Sequence, residues 1–190
     1  MEDTGNTITA KSEFIHLCDN VERSGITDLL TYLEQSDFYT APASTRFHGS
    51  YPGGLLDHSL QVYHEFKRLL TAYPEIQCSD ETAVIITLFH DICKTNMYKK
   101  ELRNRKNDEG KWETYEAYTK DEKLHYGGHG SKSVFILQNY IKLTVEESVA
   151  INCHMGAWDG NDSASEAYEQ FPIAWLLHVA DESSTFIIKK

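Results

Sequence analysis

A histidine, an aspartate and a lysine follow directly on an apolar run in the middle of the sequence. His90, Asp91 and Lys94 come after residues 83–88, which are apolar on nearly every face of a predicted helix and so belong in a core. Ionisable groups are rarely buried at such a position without partners. The directions of adjacent side chains differ by about 100° around a helix, so His90 and Asp91 reach one common point only when that point lies close against the helix. The usual occupant of such a point is a metal ion. The pattern indicates a metal site or, alternatively, a helix that ends in polar residues at the surface.

Further candidate ligands are spread along the chain at regular intervals. In order, they are His58, His129, His154 and Asp181. With the His90-Asp91 pair included, neighbours in this series are 25 to 38 residues apart, about one helix and one loop. A single histidine on an apolar helix face, such as His58 between Leu55 and Val62, is more often a hydrogen-bonded core residue than a ligand. The complete order H…HD…H…H…D favours a shared metal site instead.

This order of residues resembles that of the HD-domain superfamily of metal-dependent phosphohydrolases. The resemblance is closer to the small bacterial and phage HD-domain hydrolases of that group. Local motifs contribute to it at Gly53–Ser59, Tyr126–Gly130, His154–Trp158 and Leu177–Asp181. The resemblance covers residues 40–188 and implies an all-α helical bundle of the HD-domain type.

The ligand types narrow the choice of metal. Neutral imidazoles mixed with carboxylates suit borderline ions such as Mn²⁺, Fe²⁺, Co²⁺, Ni²⁺ or Zn²⁺. The resemblance implies one or two such ions, the first held by His58, His90, Asp91 and Asp181, and the second by Asp91, His129 and His154. Two ions about 3.5 to 4 Å apart activate water and clamp a phosphorus centre for in-line attack.

Two residues are predicted to be catalytic. Asp91 is the ligand shared by both ions, and Lys94, one turn after His90, is placed to bind a phosphate oxygen. The alternative role for Lys94 is to pair with the dipole at the helix C-terminus. His178 lies three residues before Asp181 and near the same helix face, so it is the main rival for the last ligand position.

Substrate-binding residues are predicted around this centre. Arg46 and His48 lie in a loop before the first ligand, Lys99 and Arg103 follow Lys94, and Trp158 follows the ligand His154. Trp158 is suited to stacking on a base or a sugar. The alternative is that these are ordinary solvated loop residues and that the tryptophan fixes a loop.

The charge distribution bears on the substrate. The chain carries a net charge of −11, whereas residues 94–111 hold seven basic and three acidic residues, a local charge of +4. Binding to long nucleic acids depends on neutralising many phosphates, so a long nucleic acid is not expected as a partner. A locally positive segment beside a metal site is able to steer a small phosphate ester, such as a nucleotide, to that site.

The elements that position these residues are mostly helices. Ser79 is a predicted N-cap for the helix that leads to His90, and Thr144 with Glu147 has the spacing of a capping box before His154. Alternating residues from Tyr98 to Lys106 and from Lys111 to Tyr118 predict a small β-hairpin insertion. Residues 155–170 are predicted to form a polar loop. We expect residues 1–10 to be a frayed N-terminus and residues 11–190 to form one HD-type domain.

Composition indicates a cytoplasmic protein. The first residues lack an apolar export signal, and no stretch approaches 18 apolar residues, so membrane insertion is not expected. Four cysteines without CxxC spacing fit a reducing compartment, and each, Cys93 among them, is interpreted as a small core residue.

The sequence therefore predicts a metal-dependent phosphohydrolase or phosphodiesterase that acts on a nucleotide or short phosphodiester. Two alternatives stay open. HD-type mixed-valent di-iron oxygenases, which resemble the inositol oxygenases, use a similar ligand order, and a nucleotide-binding sensor without turnover is the third possibility. The oligomeric state does not follow from the sequence.

Overall fold

The computed structural model describes residues 3–121, 127–159 and 164–188. In these residues the chain forms eight α-helices and one two-stranded antiparallel sheet, which confirms the predicted all-α bundle with a small hairpin. The helices are α1 Asp3–Cys18, α2 Ile26–Gln35, α3 Gly54–Ala72, α4 Asp80–Leu88, α5 His129–Leu137, α6 Val145–Cys153, α7 Ala164–Gln170 and α8 Pro172–Phe186. The strands are β1 Tyr98–Lys106 and β2 Trp112–Lys120. None of the described helices is both long and apolar enough to cross a bilayer.

The core lies between α3, α4, α6 and α8. Helix α3 packs against α4 and α8, and α6 packs against α5 and α8. Residues 83–88 of α4 are all buried, as their apolar character predicts. Phe14 of α1 closes the core from one side, with ring centroids 5.3 Å from Phe38 and 5.7 Å from Phe89. The helix that leads to His90 is therefore held on several sides by packing.

The predicted helix starts are present. The Ser79 side chain accepts a hydrogen bond from the Thr82 N–H at 3.0 Å, which caps α4. At the start of α6, Thr144 and Glu147 form a reciprocal capping box. These caps fix where α4 and α6 begin, and hence where the residues at their C-terminal ends emerge.

The hairpin pairs Tyr98 with Lys120 at its base and Lys106 with Trp112 at its tip. Most side chains of β1 are exposed, so the hairpin projects from the helical body. Its base is tied down by the Tyr98 hydroxyl, which donates to the Ala43 carbonyl at 3.4 Å. The second strand extends two residues beyond the predicted end at Tyr118.

Two segments differ from their predicted structure. Residues 155–170, predicted as a loop, contain a 3₁₀ turn at Gly156–Asp159 and helix α7. The Tyr168 hydroxyl of α7 donates to the Cys153 carbonyl at 2.9 Å, a long-range contact that a polar sequence does not reveal. Helix α1 begins at Asp3, inside the segment predicted to be frayed, and the fraying itself stays a prediction.

Candidate metal centre

Side chains from four helices or helix ends converge at one buried point. His58 comes from α3, His90 and Asp91 follow α4, His154 follows α6, and Asp181 comes from α8. All five are at most 5% exposed. The His58 Nε2 atom lies 3.0 Å from Asp181 Oδ1 and 3.3 Å from His90 Nε2. Residues up to 123 positions apart in the sequence therefore place their donor atoms against one another, as the predicted ligand set requires.

Main-chain carbonyls orient two of the histidines. The Nδ1 atom of His90 is 2.7 Å from the Thr87 carbonyl oxygen, and that of His154 is 2.7 Å from the Ile151 carbonyl oxygen. A carbonyl oxygen only accepts, so each Nδ1 carries a proton, and Nε2 is the nitrogen that presents a lone pair when the ring is neutral. This is the arrangement by which proteins fix metal-binding imidazoles.

Two polar atoms at the centre lack a hydrogen-bond partner among the described residues. They are Asp91 Oδ1 and His154 Nε2, which lie 3.6 Å from each other. An unsatisfied buried acceptor costs about 1–3 kcal/mol, so a native structure retains such atoms where something else satisfies them. Both are acceptors by chemistry, and a divalent cation satisfies both at once. The residues present thus fit a metal.

The charge states at the centre suit metal binding. Burial would raise the pKa of Asp91, yet Lys94 and His90 together hold the pKa well below its usual value. The pKa of Asp181 is likewise lowered, because His58 offsets the effect of burial. Burial lowers the pKa of His58. Burial would lower the pKa of His90, but Asp91, Asp181 and the Thr87 carbonyl together raise it, an effect that a cation would counter. Ionised carboxylates and a neutral imidazole are the forms that bind metals.

A second group of donors adjoins the first through Asp91. Asp91, Cys93 and His129 offer donor atoms that lie within 4.8 Å of one another. His129 begins α5, and Gly130 brings α5 close to α6, because a Cβ at Gly130 would lie 2.4 Å from the Asn152 carbonyl oxygen. The absence of a side chain at Gly130 therefore lets the start of α5, with His129, lie against α6.

Cys93 is a residue that the sequence interpretation missed. Its Sγ lies 3.4 Å from His129 Nδ1, and burial raises the pKa of its thiol to about 12. A signal was present in the sequence, since Cys93 follows Asp91 by two residues. A thiol there was nevertheless indistinguishable from a small core residue.

His178, the rival for the last ligand position, lies outside the donor groups, as does the surface residue His64. The Nδ1 atom of His178 is 2.7 Å from the His154 carbonyl oxygen, and its ring stacks on Tyr168 at 5.6 Å. His178 therefore supports the backbone that carries His154. His64 forms an ion pair of 2.8 Å with Glu13 at the surface.

A cavity of about 700 Å³ opens beside the centre. Its lining includes the predicted substrate residues Arg46, His48, Lys94 and Trp158, together with His129 and Asp181. Phe47, Trp158 and Phe186 line it as well and are 73%, 77% and 60% exposed, and the two phenylalanines were not predicted. The cavity is of the size that small ligands occupy in proteins.

Lys94 occupies the boundary between the cavity and the centre. Its Nζ donates to Asp91 Oδ2 at 2.5 Å, although only 8% of the residue is exposed. Burial would lower the pKa of Lys94, but the Asp91 carboxylate outweighs it and the pKa is raised. Lys94 is therefore a permanent cation in the wall of the cavity.

His48 lies against the first ligand. Its ring centroid is 4.8 Å from that of His58, and neither ring nitrogen has a hydrogen-bond partner among the described residues. Burial, with a further contribution from His58, lowers its pKa to about 4. Gly54 permits this placement, because a Cβ there would lie 2.0 Å from the Gly49 carbonyl oxygen. His48 is thus neutral at pH 7 and lines the cavity, and its buried ring nitrogens are a donor and an acceptor that no described residue uses.

The two predicted substrate residues of the hairpin, Lys99 and Arg103, lie in different surroundings. Arg103 lines a smaller cavity of about 290 Å³ between the hairpin and the loop, and Arg46 lines both cavities. Lys99 instead pairs with Asp121 at 3.1 Å and lines neither of these two cavities. The structure thus brings Arg103, but not Lys99, close to the predicted site.

Comparisons with known proteins agree with this geometry. A family model described as HD domain matches residues 55–185, a range that contains all six predicted metal ligands. Searches of curated proteins and of solved structures each returned no match. The matched range also includes the positions of Cys93 and Lys94, but not those of Arg46 and His48.

Proposed function

The chain belongs to the HD domain family, whose members are generally metal-dependent hydrolases, and from this premise we propose that it is a phosphohydrolase acting on a nucleotide or short phosphodiester. The observation that carries the proposal is the position of the buried acceptors. Asp91 Oδ1 and His154 Nε2 have no partner among the described residues, and the cavity beside them contains the cation of Lys94. A metal site next to a cationic cavity suits an anionic substrate.

The metal is proposed to be held by two overlapping sets of residues. As the sequence predicts, His58, His90, Asp91 and Asp181 would hold one ion, and Asp91, His129 and His154 a second one. In the structure, the donor atoms that lie together form three overlapping groups: His58, His90 and Asp181; His90, Asp91 and His154; and Asp91, Cys93 and His129. When bound, such ions lower the pKa of a water molecule and neutralise charge on phosphoryl oxygens. The mixed imidazole and carboxylate donors favour Mn²⁺, Fe²⁺, Co²⁺, Ni²⁺ or Zn²⁺.

Lys94 and Arg46 are proposed to bind the phosphate group. Lys94 shares Asp91 Oδ2 with the centre, so a cation that neutralises Asp91 would release the ammonium group toward the cavity. Arg46 lines the cavity with its guanidinium 5.1 Å from the centroid of the Phe47 ring, and from there it would make a bidentate contact with the phosphate. His48 has a donor and an acceptor to offer to a ligand group in the same cavity.

The exposed rings support a nucleotide rather than a simple sugar phosphate. Phe47, Trp158 and Phe186 line the cavity with more than half of each residue exposed. Stacking of a base on an aromatic side chain contributes about 1–3 kcal/mol. The smaller cavity beside Arg103 supports a substrate that continues beyond one nucleotide, because Arg46 borders both cavities.

The test combines metal analysis with a substrate screen. Protein purified with and without oxygen is analysed for metal, and phosphate or nucleotide release is measured over nucleotides and dinucleotides. We expect release without oxygen when Mn²⁺ or Co²⁺ replaces iron, since hydrolysis needs no redox change. Strict dependence on both iron and O₂ would favour the di-iron oxygenase, and tight nucleotide binding without product would favour a sensor.

A further inference from the structure

We propose that the Cys93 thiolate is a ligand of the second metal ion, together with Asp91 and His129. The inference rests on the proposed metal centre and adds a donor to it. Cys93 lies in the 3₁₀ turn Ile92–Lys94, directly after Asp91, and is 8% exposed. Its backbone N–H donates to the Ser133 Oγ at 3.3 Å, which fixes the turn against α5.

The distance between sulfur and nitrogen fits two ligands of one ion. Metal–sulfur and metal–nitrogen bonds are about 2.3 and 2.1 Å long, so two such ligands are about 3.1 Å apart at a right angle and about 3.6 Å apart at the tetrahedral angle. Cys93 Sγ and His129 Nδ1 are 3.4 Å apart. The separation lies inside that interval.

The orientation of His129 differs from that of its neighbours. His90 and His154 each direct Nδ1 to a main-chain carbonyl, whereas the Nδ1 of His129 faces the sulfur. The ring is therefore not held by the backbone contact that fixes the other two. An independent observation is Asp91 Oδ1, which is buried in the same donor group and has no hydrogen-bond partner among the described residues. Asp91, Cys93 and His129 thus supply three donors to one position, and one oxygen of that Asp91 has no hydrogen-bond partner among the described residues.

A thiolate at this position would make the two sites unequal. The first site offers nitrogen and oxygen atoms alone, whereas the second includes a soft sulfur donor that favours Zn²⁺, Fe²⁺ or Co²⁺ over Mn²⁺ and Mg²⁺. As the metal–sulfur bond forms, the sulfur–hydrogen bond breaks and the proton leaves to solvent, because a coordinating thiol is deprotonated. The second site should therefore fill with Co²⁺ more readily than with Mn²⁺.

The experiment uses the full chain, stripped of metal and titrated with Co²⁺. Cobalt bound to a thiolate shows charge-transfer absorption in the near ultraviolet, whereas cobalt bound by nitrogen and oxygen alone does not. We expect the band in the wild type and in Cys18→Ala, which removes a core thiol of α1 that is 1% exposed. It should be lost in Cys93→Ser and Cys93→Ala. The affinity for the second Co²⁺ should fall on the order of 10–100-fold or more, since losing an outer-shell partner already costs that much. The affinity for Mn²⁺ should change less.

Each outcome bears on a different claim. Two Co²⁺ ions per wild-type chain without the band, or a band that persists in Cys93→Ser, would overturn the assignment of Cys93 and leave metal-dependent phosphate release intact. A wild type that binds no Co²⁺ would overturn the assignment and the metal centre together. Cys93→Ser nearly preserves side-chain volume, so it remains informative even if Cys93→Ala fails to fold.

Discussion

Two buried carboxylates in this protein have opposite surroundings. Glu147, whose side chain is fully buried, accepts four hydrogen bonds: two from Arg23 at 2.9 and 3.0 Å, one from the Thr82 hydroxyl at 3.1 Å and one from the Thr144 N–H at 2.8 Å. Asp91 is 2% exposed, and its Oδ1 has no hydrogen-bond partner among the described residues. Both carboxylate oxygens of Glu147 are hydrogen-bonded, whereas one oxygen of Asp91 at the metal centre has no partner among the described residues.

The difference separates a structural role from a binding role. A fully hydrogen-bonded buried charge has no capacity for a further ligand, and its partners here join α4, α6 and the loop before α2. An unsatisfied oxygen beside a histidine nitrogen is costly unless a cation completes it. We therefore expect substitutions at Glu147 to affect stability and substitutions at Asp91 to affect metal binding and activity.

The largest expected effect is at the centre. His90→Ala and Asp91→Asn should each lose bound metal and activity together, by more than the roughly 10–100-fold that loss of an outer-shell partner costs. Metal content and phosphate release are measured on the same preparations. His64→Ala removes a surface histidine paired with Glu13 and is the matched control, which should retain metal. Near-wild-type metal content in both site variants would refute the ligand assignment.

Glu147→Gln should act on the scaffold instead. Breaking a buried ion pair by removing one partner costs about 3–5 kcal/mol. We expect urea unfolding of the metal-free protein to show a loss of that order for Glu147→Gln. Asp91→Asn also breaks a buried ion pair, the one with Lys94, so metal content rather than stability separates the two variants. Glu147→Gln should keep metal content and activity per folded molecule near those of the wild type, whereas Asp91→Asn should lose both. Equal losses of metal in the two variants would remove the distinction.

The same comparison gives a pH dependence. Burial would raise the pKa of Glu147, but Arg23, Thr144 and Thr82 together outweigh burial and the pKa is lowered. Since the folded-state pKa lies below the unfolded value of about 4.3, the stabilisation is fully present above that value and is lost as pH falls through the folded-state pKa. The difference in unfolding free energy between wild type and Glu147→Gln should therefore be constant from pH 7 to 5 and shrink in more acidic buffer. If the difference in unfolding free energy instead grew on acidification, the pKa of Glu147 would be raised on folding and not lowered.

The sequence was informative where the signal is local. Ser79, the Thr144 capping box and the strands of the hairpin follow from spacing and residue type, and the structure confirms them. It was uninformative where the partner is distant. Arg23 meets Glu147 across 124 positions, and Cys93 meets His129 across 36. Neither contact leaves a periodic pattern.

The cavity lining shows the same limit. Arg46, His48 and Trp158 were predicted because they lie close to candidate ligands in the sequence, and the family resemblance favours a substrate-side loop at Arg46 and His48. Phe47 and Phe186 lie in the same cavity, but an isolated phenylalanine in a sequence indicates a core position. Only the fold reveals that both are more than half exposed.

A substitution of Lys94 tests whether its ammonium group acts on the substrate or only neutralises Asp91. Lys94→Met removes the ammonium group and keeps the aliphatic stem, which is suited to a buried position. If Lys94 stabilises charge that develops on the phosphate, kcat and kcat/KM should fall together, on the order of 10²-fold. Steady-state kinetics on the best substrate measure both values. Unchanged kinetics with a loss of stability alone would assign Lys94 to the neutralisation of Asp91.

The smallest expected effect is in the hairpin, where charges are exposed and already paired. Lys99 contacts Asp121, Arg103 contacts Glu101 and Arg105 contacts Glu113 at 2.5 to 3.1 Å. Each carboxylate cancels much of the field of its partner at a distance, so the local charge of +4 in residues 94–111 overstates the attraction of a substrate.

Replacing these three basic residues by alanine should therefore raise KM by about fivefold or less, in keeping with the energy of about 1 kcal/mol or less of exposed pairs. The effect should vanish in high salt, because charges further apart than a Debye length of about 8 Å at physiological ionic strength are screened. We would measure kcat and KM at two salt concentrations for the triple variant and for the single variant Arg103→Ala.

In the single variant, KM should rise more for a dinucleotide than for a mononucleotide, since Arg103 lines the smaller cavity next to Arg46. A salt-independent loss of kcat in the triple variant would mean that the hairpin contacts the reacting group and that the division between a chemical centre and an exposed steering surface is wrong.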